Sequence, residues 1–186
     1  MINRAYLSLG SNINPEENIK AALHLLAGRS KLVAVSTFWE TEPVGLQDQA
    51  NFLNGAAIIE TDLSAATLKE TVLSRIEQEL GRKRTSNKNA PRTIDLDIIL
   101  FNQEVLEYDG RHIPSPEVLE RAFVAIPLAE LTPDYIHPLT GQTLAEIAAA
   151  FAHFACKMRK RDDLTSFLSI SKGDSEYVEG IRPDHR

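Results

Sequence analysis

Asp95 and Asp97 stand two residues apart in the run Ala90-Pro91-Arg92-Thr93-Ile94-Asp95-Leu96-Asp97-Ile98-Ile99-Leu100-Phe101. The alternation is that of a half-buried strand, with Thr93, Asp95 and Asp97 on one face and Ile94, Leu96, Ile98 and Leu100 on the other. Residues two apart on a strand lie about 6.5 Å apart, so both carboxylates can converge on one cation or on a close pair of cations. Without a cation they repel. Magnesium suits such a pair, because it takes few protein oxygens and leaves its remaining positions to phosphates and water. Just ahead of the strand, Arg82, Lys83, Arg84, Lys88 and Arg92 fall within eleven residues. Guanidinium is planar, always charged and able to fork onto phosphate oxygens, so Arg82 and Arg92 can close over a polyphosphate from the two ends of this loop. Paired carboxylates beside clustered arginines are the combination phosphoryl transfer needs. Singly, each has a plainer reading: a solvated strand face, ion pairs from the aspartates to Arg82, Arg84 and Arg92, or a solvated charged connection.

Other chemistries find little support. The sequence has no Gly-x-x-x-x-Gly-Lys-Ser/Thr segment and no Rossmann glycine fingerprint, so side chains and metal would have to hold a nucleotide. His24, His112, His137, His153 and His185 lack zinc-ligand spacing, and no Gly-x-Ser-x-Gly elbow accompanies the lone Cys156. Phe52 and Asn54 alternate on one strand face, where an aromatic and a carboxamide suit a flat heterocycle with donor and acceptor edges. Ordinary sheet packing explains them equally well.

The elements that must position these residues follow the order βαββαβ. A strand over Arg4 to Ser8 leads through Gly10-Ser11-Asn12 into a helix with Asn14 as cap, Pro15 at its first position and Glu17 completing a capping box. One strand from Lys31 to Thr41 and another from Phe52 to Thr61 flank a proline- and glycine-containing loop. A second helix runs from the Ser64 cap to Gly81, with Leu68, Val72, Leu73, Ile76 and Leu80 inward. This is an α+β, ferredoxin-like arrangement: an antiparallel sheet with both helices on one face and the other face free for ligands. Val105 to Tyr108 is expected as a short edge strand. Val124 to Leu128 should pack back on the core, and a Thr143–Glu146 capping box should open a final helix through Phe154 that dissolves by Arg161. The expected domain is residues 1–161, with 162–186 a polar tail that is partly disordered.

A chain of 186 residues with 43% hydrophobic and 25% charged residues can bury one core without disulfides, and it has no apolar run long enough for a bilayer helix. The start has no signal-peptide core and there is a single cysteine, which together predict a cytoplasmic protein. A net charge of −6 argues against general nucleic-acid binding.

The chain resembles the 6-hydroxymethyl-7,8-dihydropterin pyrophosphokinase family of folate biosynthesis. The matching pieces are Leu9-Gly10-Ser11-Asn12, Thr41 through Gly45 with Gln47, Gln49 and Phe52-Leu53-Asn54, then Glu77, Gly81 through Arg84, Pro91 through Asp97, and Pro114 through Arg121 with Phe123 and Pro127-Leu128. The resemblance implies transfer of pyrophosphate from ATP to the pterin hydroxymethyl oxygen, with Asp95 and Asp97 holding two Mg2+ ions and Arg82 and Arg92 stabilising transferred charge. It places Glu77, Arg84, Ile98, Arg111, Pro114, Ser115 and Arg121 near ATP. It places Thr41, Pro43, Val44, Phe52, Asn54 and Phe123 around the pterin, with Phe52 and Phe123 sandwiching the ring. Small-molecule substrates and a monomeric state are expected, with no nucleic-acid or membrane partner. The chain departs from the family pattern at Asn89-Ala90, where Trp-Gly is usual, and at Ser115, where histidine is usual. Arg111 sits one place off the usual arginine. Two other readings are a catalytically silent pterin- or nucleotide-binding member of the family and an RNA-recognition module with the same βαββαβ order.

Overall fold

The computed structural model describes residues 1–165 apart from 47, 84–86 and 88. Arg84, Lys88 and Gln47 therefore lie outside the described residues, as does the tail from 166 onward. The first half of the chain forms β1 (Asn3–Ser11), α1 (Pro15–Arg29), β2 (Lys31–Val35), β3 (Phe38–Thr41) and β4 (Phe52–Thr61). A continuous helical segment follows, made of α2 (Ala65–Leu68), a π turn (Lys69–Leu73) and α3 (Ser74–Glu79), and it leads to β5 (Asp95–Phe101). β5 pairs with β1, β1 with β4, and β4 with both β2 and β3, every pair antiparallel. That is the split-βαβ strand order expected of the sequence.

The single strand expected from Lys31 to Thr41 is two. Val35 lies opposite Ala57 and Trp39 opposite Asn54, so four steps on one side match three on the other. Ser36 absorbs the extra residue: its hydroxyl accepts from the Ala56 amide at 2.8 Å while its own amide donates to the Ala56 carbonyl at 2.9 Å. The Asn14 cap also differs. Asn14 takes left-handed backbone (φ 41°, ψ 54°) and makes no side-chain cap bond, so no capping box forms with Glu17. Asn18 Nδ2 donates to the Ile13 carbonyl at 2.7 Å instead.

One face of the sheet buries Leu7, Leu9, Leu53, Ile59 and Leu96 against Ile19, Leu23 and Leu26 of α1 and Leu68, Leu73 and Ile76 of the second helical segment. Each such side chain contributes about 1.5–3 kcal/mol on burial. The other face is not left open as expected. Tyr6, Ile58, Ile99 and Leu100 are covered by α5 (Ala122–Leu131) and α6 (Leu144–Ala149), through Val124, Leu128, Leu144 and Ile147. Leu100, expected on the face of Leu96, is turned to this second face because Ile98 pairs with Leu7 and Leu100 with Tyr6, leaving one extra residue in β5. At one end of that face, Ser8, Gly10, Asn54, Asp95 and Asp97 line a cavity. An RNA-recognition module needs that face uncovered.

The expected edge strand is instead one arm of a separate hairpin, β6 (Leu106–Tyr108) with β7 (Arg111–Ile113), turned by Asp109 and Gly110, both at positive φ. A helical turn, α4 (Glu117–Glu120), follows it. The Thr143–Glu146 capping box is present. The helix it opens stops at Ala149, however, and resumes only as α7 (Ala152–Ala155), with Ala152 and Phe154 outside the core. Arg159–Arg161 then forms β8 along the edge of β3, a strand whose run of basic residues hides it from any apolar periodicity. The boundary expected after residue 161 falls just before a last helical turn, α8 (Asp162–Thr165). No helix among the described residues is long and apolar enough to cross a membrane.

Candidate active site

At the cavity end of the sheet, Gly10 lies opposite Asp95 on one side and opposite Asn54 on the other, while Ser8 lies opposite Asp97. Asp95 and Asn54 are thus two strand spacings apart, roughly 10 Å. A Cβ at Gly10 would come within 2.9 Å of Asn54 Oδ1, so glycine makes room for the carboxamide. Asn54 Nδ2 donates to Thr41 Oγ1 at 2.7 Å, and both residues are buried. These features border one cavity of about 630 Å³.

The arginines reach the carboxylates from fixed backbone. The α3 helix ends in a Schellman motif: Gly81, at φ 75°, donates to the Gln78 carbonyl, and Arg82 N donates to the Glu77 carbonyl at 2.9 Å. Arg82 Nη1 then contacts Asp95 Oδ1 and donates to Glu77 Oε1 at 2.7 Å. Arg92 is pinned from the other side by Asn12, whose Oδ1 accepts from Arg92 N at 2.8 Å and whose amide donates to the Arg92 carbonyl at 3.1 Å. Its Nη1 contacts Asp95 Oδ2, and its guanidinium carbon lies 5.6 Å from the centre of the Phe52 ring. Asp97 Oδ1 accepts from Arg111 Nη1 at 3.2 Å and from Lys69 Nζ at 3.0 Å.

Glu77 is only 2% exposed. Its Oε1 accepts from the Leu96 amide at 2.9 Å and from Lys69 Nζ at 3.2 Å, and Lys69 Nζ also donates to the Leu96 carbonyl. β5 is the edge strand here, and this buried carboxylate and ammonium satisfy its outward backbone at Leu96 as a neighbouring strand would. Burial and the neighbouring Asp97 charge push the Asp95 pKa up, against Arg82 and Arg92. Asp97 is also penalised by burial, yet Lys69 and then Arg111 bring it below the usual carboxylate range. The two aspartates are pushed in opposite directions, as close like charges are.

Thr41, Val44, Phe52, Asn54 and Phe123 line the cavity, and so do Arg82, Arg92, Asp95, Asp97, Arg111 and Arg121. Glu77 faces an adjoining cavity of about 390 Å³ that shares Lys69, Arg82 and Arg111 with the first. Among the described residues, the remaining expected ones, Pro43, Ile98, Pro114 and Ser115, line neither wall. Pro43 is half-buried in its loop, Ile98 packs in the core, and Pro114 borders a separate apolar groove. Ser115 Oγ accepts from the Glu117 amide at 3.4 Å, turning the chain into α4. Asn89 and Ala90 border the cavity, and Asn89 packs on Gly45, where an added Cβ would lie 2.4 Å from Asn89 Nδ2.

Sequence reasoning missed Lys69 and the anchoring role of Asn12, whose Nδ2 also donates to Gln49 Oε1 at 2.9 Å and to the Ala50 carbonyl at 3.1 Å. Lys69 did leave a signal. It falls with Leu68, Val72, Leu73, Ile76 and Glu77 on one helical stripe, and a charged pair eight residues apart on such a stripe marks a buried ion pair.

Residues 6–133 match the sequence model of the 7,8-dihydro-6-hydroxymethylpterin-pyrophosphokinase (HPPK) family. This chain belongs to the HPPK family. It is 42% identical over 153 residues to the 2-amino-4-hydroxy-6-hydroxymethyldihydropteridine pyrophosphokinase of Pseudomonas aeruginosa, covering 81% of this chain and 93% of that one. The Bacillus subtilis protein of the same name is 46% identical over 134 residues, 70% of this chain and 79% of the relative. The HPPK fold extends to the Plasmodium falciparum HPPK-DHPS structure, with a TM-score of 0.68 at 15% identity. That match takes in 82% of this chain but 46% of the Plasmodium one, so this chain spans about half the length of that solved structure.

Proposed function

We infer that this chain transfers the pyrophosphoryl group of ATP to the hydroxymethyl oxygen of 6-hydroxymethyl-7,8-dihydropterin, in folate biosynthesis. The hydroxymethyl oxygen forms a bond to the β-phosphorus, and the bond from that phosphorus to the oxygen of the α-phosphate breaks. AMP leaves and the hydroxyl proton passes to solvent. The observation that carries this reading is the shared cavity: Asp95 and Asp97 with their cationic partners on one side, Thr41, Asn54, Phe52 and Phe123 on the other.

Asp95 and Asp97 fit divalent magnesium as a donor set, being two half-buried carboxylates at 19% and 33% side-chain exposure beside room for phosphates. In our reading they hold two Mg2+ ions, which supply charge neutralisation on the phosphates and a lowered pKa for the attacking hydroxyl. Arg82 and Arg92 stabilise charge as it moves from the β-phosphorus to the departing oxygen. Arg111 and Arg121 bind the ATP phosphates, with Arg84 expected beside them. Asn54, oriented by Thr41, reads the polar edge of the pterin, while Phe52 and Phe123 take its faces. Val44 and Pro43 shape the entry loop. The enzyme acts as a monomer in the cytoplasm.

The test is to mix the purified chain with ATP, Mg2+ and the pterin and to measure AMP. Pterin-dependent AMP is expected. None above a pterin-free control would overturn the reading.

A further inference from the structure

Lys69 is 5% exposed, and a lysine so enclosed is costly unless its ammonium is paired. Here each of its three N–H groups has an acceptor: Glu77 Oε1, the Leu96 carbonyl and Asp97 Oδ1. Two of those acceptors are framework. Glu77 is held by Arg82 and the Leu96 amide, and the Leu96 carbonyl belongs to β5. The ammonium is therefore fixed whatever Asp97 does. Arg111 reaches the same Asp97 oxygen from the β6–β7 hairpin, but its side chain is 38% exposed, so it can exchange that carboxylate for a phosphate. Lys69 has no such exchange to make. It also opens the π turn, a helix irregularity frequent at functional sites.

We propose that Lys69 is a positioning residue that holds Asp97 by Oδ1 and leaves only its other oxygen for a divalent ion, so that of the two ions at this site the second binds much more weakly than the first. The proposal rests on the reading of Asp95 and Asp97 as metal ligands. A fixed ammonium 3.0 Å from one carboxylate oxygen repels any ion that would use that oxygen, and it keeps the carboxylate from bridging two ions symmetrically.

The experiment is an Mn2+ binding isotherm on the full chain with the non-hydrolysable α,β-methylene analogue of ATP, free Mn2+ being read by electron paramagnetic resonance. The native chain is expected to show a tight and a weak class of sites. Lys69→Met removes the charge and should tighten the weak class at least about tenfold while moving the tight class little, the effect of deleting one unit charge at this range. Lys69→Gln, which keeps a donor for the Leu96 carbonyl, should do the same and serves if the methionine variant does not fold. Two equally tight sites in the native chain, or an unchanged ratio in both Lys69 variants, would overturn the proposal and leave the metal site itself standing. No analogue-dependent Mn2+ at all would overturn both.

Discussion

Replacing Glu77 by glutamine separates a framework role from a nucleotide contact. The carboxylate accepts from the Leu96 amide at 2.9 Å, Arg82 Nη1 at 2.7 Å and Lys69 Nζ at 3.2 Å, in a site only 2% exposed. Glutamine has nearly the same volume and can still accept, so no cavity opens and the change isolates charge. A hydrogen bond to a charged group contributes about 1.5–3 kcal/mol and a neutral one about 0.5–1.5 kcal/mol. Three bonds each weakened by about 1 kcal/mol, with two cations left short of a counter-charge, give a loss of roughly 3–5 kcal/mol. For a domain of this size that lowers Tm by about 6–20 °C. The assay is urea unfolding followed by circular dichroism, with neither ATP nor metal present. Because the loss arises in the ligand-free protein, ATP is not needed to see it. A variant within about 1 kcal/mol of native whose KM for ATP nevertheless rose would refute the framework role.

Asp97→Asn should keep the fold and lower kcat by about 10³-fold or more, the scale on which preorganised electrostatic groups act; a tenfold effect in steady-state kinetics would remove Asp97 from the metal site. Phe52→Ala and Phe123→Ala should each weaken pterin binding by about 1–3 kcal/mol, as loss of a stacking ring does. ATP-analogue affinity should hold, and calorimetry showing equal losses for both ligands would contradict the assignment. His137 is 1% exposed, and burial lowers its pKa. The unfolded chain then takes up a proton below about pH 6.5 that the fold resists, so this contribution is present above that pH and lost as the pH falls toward the folded value. Protonation would also set Nδ1–H against the Thr140 N–H that it now accepts at 3.3 Å. Tm measured from pH 7.5 to 5 should fall less steeply for His137→Phe than for the native chain, and equal slopes would sink the account.

Much of this was legible because it is periodic. The alternation from Ile94 to Ile98 set the strand that carries the carboxylates, the turn residues ahead of Phe52 set the one that carries the carboxamide, and the Thr143–Glu146 box opened its helix as written. What stayed hidden was whatever breaks a period or is decided at long range. The Ser36 bulge depends on a hydroxyl replacing backbone across a strand pair, the π turn shifts one turn of an otherwise ordinary helix, and β8 is a strand of Arg-Lys-Arg whose backbone pairs with β3. The covering of the second face by α5 and α6 is a tertiary outcome that local propensity does not contain. Lys69 shows why a site residue can be missed: charge predicts solvent, and only partners such as Glu77 and, across the fold, Asp97 overturn that.

The sequence also suggested that the arginines act through a loop that closes, and the geometry redirects that idea. Arg82 is set by a Schellman turn and a buried carboxylate, and Arg92 by the Asn12 side chain, so both ends of the basic loop belong to the framework. Each already sits on Asp95, where it neutralises a carboxylate that Asp97 would otherwise repel. Under the proposed function, arriving phosphates would offer the same guanidiniums a better-matched anion, and Asp95 and Asp97, once released, would hold the divalent ions. On that reading substrate binding would be an exchange of partners among groups already in place, with little side-chain ordering left to oppose it. Asn89, by contrast, packs on Gly45, and its carbonyl accepts from Gln49 Nε2 at 2.9 Å. Under the proposed function, the departure from an aromatic residue at that position would bear on how the pterin is enclosed rather than on where the charges stand.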